Sequence, residues 1–156
     1  MEFTEKFLMV FIKRTKVNLE FLKTAHNDGK KVFEVTQLIN SLLGLLVFPK
    51  ERLDNLIDRK EPLDTYRQDG WEIPKTSLCK CKSWNNLYDY LRNMRNGISH
   101  SHIEFSSNDD KEVSSMTIWN TPLNSNIRNW EVNFTIEQLN IFTEMTTQYF
   151  LSLDSE

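Results

Sequence analysis

The chain has 156 residues, of which 39% are hydrophobic, 26% charged and 12% aromatic, and its net charge is −3. This length predicts one domain over residues 1–156, and the aromatic content excludes general disorder. The negative charge excludes a general nucleic-acid coat protein, so any contact with phosphates must come from a local patch.

No segment of the sequence has the length or composition of a membrane span. The apolar runs at 7–12 and 42–48 are much shorter than the ~20 residues that a spanning helix needs. Charged residues flank the first run, which has no small-residue cleavage site, so we expect no signal peptide. We therefore predict a cytoplasmic protein that does not contact membranes.

Apolar residues at helical spacing predict two helices in the first third of the chain. The first covers residues 3–25 and should end at Asn27-Asp28-Gly29. The second covers 32–48, and its narrow polar face, with Ser41 and Gly44, suits a partner helix or a site.

The periodicity becomes weaker after the second helix. Pro49 suits the first position of a further short helix, because its missing N–H would have no helical partner there. From residue 59 to 82 the sequence shows no helical or strand periodicity, and two prolines and one glycine interrupt a polar stretch. We predict an irregular loop over 59–82.

The second half of the chain predicts two more helices with strands between them. Residues 83–99 predict a third helix with Ser83 as its N-cap, and its apolar stripe comprises Trp84, Leu87, Tyr88, Leu91, Met94 and Ile98. Short alternating runs within 101–134 predict a two- or three-stranded antiparallel insertion. Thr135 and Gln138 have the capping-box spacing that begins a fourth helix. The predicted fold is mainly α: a four-helix bundle with a small antiparallel β insertion between the third and fourth long helices.

The end of the third helix concentrates residues that can do chemistry. Arg95 falls within the apolar stripe, where a cation must be paired, meet an anion or lie in a subunit contact. Asn96 and His100 are four residues apart and share a helix face, while Gly97 indicates a helix end or a close backbone approach. Two structural interpretations stay open: His100 as a helix C-cap, and Arg95 as the partner of Asp89, Glu34 or another acid.

The segment Arg95-Asn96-Gly97-Ile98-Ser99-His100 has the form Arg-Asn-x-x-x-His and resembles the motif of the HEPN superfamily of ribonucleases. The segment QLINSLLGLLVFPKE (37–51) is similar to the second helix of a plasmid- and prophage-associated HEPN group. The resemblance implies an endoribonuclease that needs neither metal nor cofactor. It implies Arg95 and His100 as catalytic residues assisted by Asn96, and a composite site where the two motifs of a homodimer meet.

The expected reaction is attack of an RNA 2′-OH on the adjacent phosphorus, with His100 as acid or base and Arg95 on the phosphate. Residues 75–102 contain five Lys or Arg and one Asp, which suits a substrate of phosphates. Further substrate contacts are expected from Arg92, Ser99, His102, Lys80 and Lys82. His102 is also a possible substitute for His100, although Asn96 and the helical register favour His100.

The resemblance implies RNA as the partner, a role as a toxin or in phage defence, and an antitoxin that restrains the enzyme. The alternative is a non-catalytic helical module that keeps the fold and binds RNA or protein. Another candidate is a zinc site that joins Cys79 and Cys81 to His100 and His102. It is weaker, because structural zinc pairs usually have two to four intervening residues.

Overall fold

The computed structural model describes residues 2–80 and 85–153, and it describes side chains over 7–49, 54–80 and 85–153. The fold is mainly α, as predicted, with about 53% of the chain in helices. The described helices are α1 (Glu2–Asn27), α2 (Glu34–Leu53), α3 (Leu63–Gln68), α4 (Leu87–Ser99) and α5 (Ile136–Ser152). The strands are β1 (Leu78–Cys79), β2 (Ile103–Ser107), β3 (Val113–Asn120) and β4 (Trp130–Thr135).

The chain divides into two compact units, one of residues 1–56 with 143–156 and the other of residues 57–142. The prediction of a single domain over 1–156 stays a prediction. In the first unit, α1 ends at Asn27, within the predicted stop Asn27-Asp28-Gly29, and Gly29 follows with a φ of +73°, a left-handed conformation that favours glycine. Gly44 of α2 lies against Phe11 of α1, since an added Cβ would be 3.0 Å from the ring. The polar face of α2 therefore does meet a partner helix.

The predicted helix break at Pro49 is wrong. Helix α2 continues through Pro49 to Leu53, so no separate helix begins there. Proline removes one backbone hydrogen bond from the helix interior. Pro49 is itself buried, as are Leu45 and Leu46 one turn earlier, and this packing offsets the lost bond.

The predicted loop at 59–82 is also partly wrong, because it contains α3 and β1. Arg67 of α3 organises this segment: its Nε donates to the carbonyl oxygen of Ile73 (2.8 Å) and its Nη1 to Asp64 (2.6 Å). Trp71 and Ile73 are buried although they belong to no helix or strand. Both elements are too short to show a periodic pattern. The predicted loop's last residues, 81 and 82, lie outside the described residues.

Helix α4 begins later than predicted. Its N-cap is Asn86, whose Oδ1 accepts a hydrogen bond from the backbone N–H of Asp89 (2.8 Å). Ser83, the predicted N-cap, and Trp84 lie outside the described residues. In the predicted stripe, Tyr88 is only half-buried and carries the Arg59 guanidinium 3.9 Å from its ring centre. The fully buried aromatic residue of α4 is Tyr90 instead.

The sheet is wider than predicted. Its order is β1-β4-β3-β2, and every neighbouring pair is antiparallel. Because β1 precedes α4 in the chain, the sheet is more than an insertion between α4 and α5. A core of aromatic rings covers one face of it, with Tyr90 5.5 Å from Trp130 and 5.9 Å from Phe142. Burial raises the pKa of Tyr90 well above its usual value despite the opposing charge of Arg67.

Two local sequence predictions near the sheet are confirmed. The backbone N–H of Thr135 donates to Oε1 of Gln138 (3.0 Å), and the N–H of Gln138 donates to Oγ1 of Thr135 (3.1 Å), so the capping box forms. Gly97 marks a close backbone approach between α4 and β3. An added Cβ would lie 2.6 Å from Cγ2 of Ile118 and 2.7 Å from the carbonyl oxygen of Trp119.

Candidate functional site

The end of α4 is closed by a pair of backbone hydrogen bonds. The N–H of Ser101 donates to Ile98 (3.0 Å) and the N–H of His102 donates to Gly97 (2.8 Å). Ser101 has a φ of +58°, in the left-handed region that glycine usually occupies at such a helix end. His100 is the C-cap residue of α4. This agrees with the interpretation, left open by the sequence, that His100 is a helix C-cap. This turn fixes the backbone of both histidines and leads directly into β2.

The two histidine rings lie side by side, and His102 is the first of a series of stacked groups. Their ring centres are 5.9 Å apart, and the ring of His102 lies parallel to Trp119, with centres 5.7 Å apart at 10°. The guanidinium of Arg128 lies 3.9 Å from the centre of the Trp119 ring. We call His102, Trp119 and Arg128 the His–Trp–Arg stack. His100 is exposed and His102 half-buried, so the stack supports the His102 ring beside an accessible imidazole.

Glu131 holds the far end of this stack. Its Oε2 accepts a hydrogen bond from Arg128 (2.6 Å), and its Oε1 accepts one from the hydroxyl of Ser77 (2.8 Å). The hydrogen bond from Arg128 lowers the pKa of Glu131, and the bond from Ser77 adds to this effect. Glu131 is therefore a carboxylate at neutral pH and fixes the guanidinium on Trp119.

Arg95 is half-buried and has no carboxylate partner among the described residues. Of the two predicted partners, Glu34 lies 3.5 Å from His26, and Asp89 accepts from the amide of Asn86 (3.0 Å). Nη1 of Arg95 instead donates to Oδ1 of Asn96 (3.3 Å). Its Nε is buried without a hydrogen-bond partner in the part of the chain that the structure describes. The charge of this guanidinium is therefore not neutralised by any carboxylate of the described residues.

A cavity of about 480 Å³ lies beside the end of α4. Asn96, His100 and His102 line it on the helix side, and residues 120–126 and 129 line it on the other. Behind the surface, Nδ2 of Asn120 donates to both oxygens of Asn93, the backbone carbonyl (2.8 Å) and Oδ1 (2.7 Å). This buried amide pair joins α4 to the end of β3 and fixes the floor of the cavity.

The cavity brings together three of the eight predicted site residues: Asn96, His100 and His102. Arg95 is connected to them through its hydrogen bond with Asn96, but it does not line the cavity itself. The other predicted contacts are separate from the cavity: Arg92, Ser99 and Lys80 are exposed side chains outside its lining. Lys82 lies outside the described residues.

Sequence reasoning missed Asn93, Asn120 and Asn129, which all line the cavity. One signal was available, because Asn93, Asn96 and His100 follow one another at spacings of three and four residues and share a helix face. No sequence pattern marks Asn120 and Asn129 as cavity residues, because their position depends on how the loop over 121–129 folds back towards α4.

No three His, Cys, Asp or Glu side chains of the described residues are grouped as metal ligands. Cys79 is exposed on β1, and Cys81 lies outside the described residues. Within the described ranges, no helix combines the length and the apolar character needed to cross a membrane.

A family model described as HEPN pEK499 p136 matches residues 1–156. No match was found among curated proteins or among solved structures.

Proposed function

Because the chain belongs to the HEPN pEK499 p136 family, we propose that it is a metal-independent endoribonuclease with its active site at the end of α4. HEPN domains are generally ribonucleases, and membership suggests a nuclease or an RNA-binding module. One observation carries the proposal: Asn96 and His100 line one cavity, and Asn96 holds the guanidinium of Arg95. We propose that α1, α2, α4 and α5 correspond to the four helices of a HEPN-like bundle.

His100 is the proposed proton-transfer group. Its backbone is fixed at the helix end, while its exposed ring makes no hydrogen bond with any described residue. An imidazole is suited to both directions of proton transfer near neutral pH. It takes the proton of the 2′-OH, whose oxygen bonds to the adjacent phosphorus as the bond to the 5′ oxygen breaks. The imidazole then gives this proton to the departing 5′ oxygen, so the products are a 2′,3′-cyclic phosphate and a 5′-hydroxyl.

Arg95 is the proposed phosphate ligand. The guanidinium has no carboxylate to neutralise it among the described residues, so its charge is available for the non-bridging oxygens. Asn96 uses Oδ1 to hold this guanidinium, which makes Asn96 a positioning residue in the proposal. Arg92, Ser99, His102, Lys80 and Lys82 stay proposed substrate contacts, with His102 the one that shares the cavity with His100.

The proposal includes a homodimer with RNA as its substrate in the cytoplasm. HEPN proteins often form dimers, and an Arg without an acidic partner suits a site completed by a second copy. A toxin or phage-defence role, with a restraining antitoxin, follows from the same family resemblance.

The test is cleavage of a mixed RNA pool in EDTA by the wild type, His100→Ala and Arg95→Ala. His26→Ala and Lys23→Ala are matched controls, since both side chains are exposed on α1. We expect the wild type and both controls to cleave RNA and leave cyclic-phosphate ends. His100→Ala should lose about 10²- to 10⁴-fold in rate, the usual contribution of a general acid or base. All variants must keep the wild-type circular dichroism.

Two results would contradict the proposal. Products with 3′-hydroxyl ends would exclude attack by the 2′-OH. RNA binding without cleavage by any of the proteins would favour the non-catalytic RNA-binding module.

A further inference from the structure

We propose that His102 is a second catalytic residue of this site, the general acid that protonates the departing 5′ oxygen, while His100 acts as the general base. This inference rests on the proposed function and deepens it. In its simplest form the proposed reaction uses the His100 imidazole for both proton transfers. The inference depends on the second imidazole beside the first, on how the fold holds it and on the geometry of the reaction.

The two imidazoles are neighbours in one cavity. The ring centres of His100 and His102 are 5.9 Å apart, and the ring planes are inclined by 39°. Both residues line the cavity together with Asn96, which holds the guanidinium of Arg95. Nδ1 of His102 is buried, so Nε2 is the nitrogen that is left to exchange a proton with a substrate. The cavity can therefore offer two proton-transfer groups to one bound phosphodiester.

The fold holds the ring of His102 in one orientation. The ring lies parallel to Trp119, with centres 5.7 Å apart at 10°. The backbone of His102 is bonded on both sides, since its N–H donates to Gly97 (2.8 Å) and its carbonyl oxygen accepts from the N–H of Trp119 (3.1 Å). A ring fixed in this way keeps its accessible nitrogen in a constant direction, as proton transfer to a defined atom requires.

The proposed reaction has a use for two such groups. In a displacement at phosphorus, the attacking and the leaving oxygen lie roughly in line, on opposite sides of the phosphorus. A single ring would have to move from the first oxygen to the second during the reaction. With two rings, His100 takes the proton of the 2′-OH as its oxygen bonds to phosphorus, and protonated His102 gives a proton to the 5′ oxygen as its bond to phosphorus breaks. His100 then loses one proton to solvent and His102 gains one, which restores the starting state.

A substrate with sulfur in place of the 5′ oxygen tests this assignment. A thiol is a much stronger acid than an alcohol, so a thiolate leaves the phosphorus without first gaining a proton. The experiment compares two short RNA oligonucleotides that contain a linkage cut in the mixed pool, one with the ordinary linkage and one with the 5′ sulfur. The sulfur linkage makes the general acid unnecessary, but it still requires the general base.

His102→Phe is the main variant, because phenylalanine keeps an aromatic ring beside Trp119 and removes both ring nitrogens. We expect it to lose about 10²- to 10⁴-fold in rate on the ordinary linkage and to cleave the sulfur linkage at the wild-type rate. His102→Gln, which removes the titratable ring, should show the same pattern. His100→Ala should be slow on both linkages. His26→Ala is the matched control, an exposed histidine of α1, and should behave as the wild type.

Three results would overturn the role of His102 as the acid. Wild-type rates of His102→Phe on the ordinary linkage would place the acid elsewhere. An equal loss on both linkages would limit His102 to holding the structure or the substrate. Rescue of His100→Ala by the sulfur, without rescue of His102→Phe, would make His100 the acid. Each of these results leaves the nuclease in place, because it requires cleavage by the wild type. No cleavage of the pool by the wild type would reject both proposals.

Discussion

The histidines at the end of α4 depend on residues far from them in sequence. His102 lies on Trp119 of β3, Trp119 carries Arg128 of the following loop, and Glu131 of β4 holds Arg128. The six-residue motif that carries the family resemblance includes none of these supports. A motif therefore indicates which groups do chemistry, whereas the fold determines how firmly they are held.

The ion pair of Glu131 should make part of the stability depend on pH. Its pKa is lower in the folded chain than in the unfolded chain, because Arg128 and Ser77 donate hydrogen bonds to the carboxylate. The stabilisation is therefore present above the unfolded pKa of about 4.3 and is lost as pH falls through the folded pKa. The side chain is 23% exposed, so we expect Glu131→Gln to cost at most about 1 kcal/mol at pH 7.

Urea unfolding of the wild type and Glu131→Gln at pH 7 and pH 3 measures this effect. The difference in unfolding free energy should shrink at pH 3. Glu72→Gln is the control, because Glu72 is exposed and makes no ion pair with any described residue. If Glu131→Gln lowers the unfolding free energy equally at both pH values, the charge of Glu131 does not contribute to the stability.

Long elements could be predicted from the sequence and short ones could not. Helices α1, α2 and α5 each contain several turns of periodic apolar residues, and the capping box located the start of α5. Strand β1 has two residues and is formed only by pairing with β4, so no local pattern marks it. The side of the cavity formed by residues 120–126 and 129 was missed for the same reason, since these residues reach it through the sheet and its loop.

Gly97 shows how closely two elements of the second unit pack. Alanine would favour the helix by about 1 kcal/mol over glycine at an interior position. Here its Cβ would lie 2.6 Å from Ile118 and 2.7 Å from the backbone oxygen of Trp119, which cannot move without shifting β3. Overpacking of this kind costs about 1–3 kcal/mol. We expect Gly97→Ala to lower the unfolding free energy despite the gain in helix propensity.

Gly44→Ala is the matched control, because its added Cβ would meet only the end of the Phe11 ring, a side chain that can move. Thermal unfolding of both variants makes the comparison. We expect a clear loss for Gly97→Ala and a small change of either sign for Gly44→Ala. If Gly97→Ala is as stable as the wild type, β3 does not limit the space beside α4.

At the scale of the whole molecule, α1 has an unusual exposed face. Phe7, Val10, Val17 and Phe21 are 52%, 40%, 61% and 67% exposed. Their spacings of three, seven and four residues place them along one side of the helix. Single exposed apolar residues are common, but a continuous row of them usually marks a protein interface. A second copy of the chain would cover this row in the proposed homodimer.

Light scattering after gel filtration tests this expectation. We expect the wild type to elute as a dimer and Val17→Glu/Phe21→Glu as a monomer, because two carboxylates on the row would be buried without partners in the dimer. Lys23→Glu, on the same helix, is the control and should stay dimeric. If the proposed site is composite, the monomeric variant should also lose RNA cleavage while its circular dichroism stays unchanged. A monomeric wild type would contradict the composite site, and a dimeric double variant would place the interface elsewhere on the molecule.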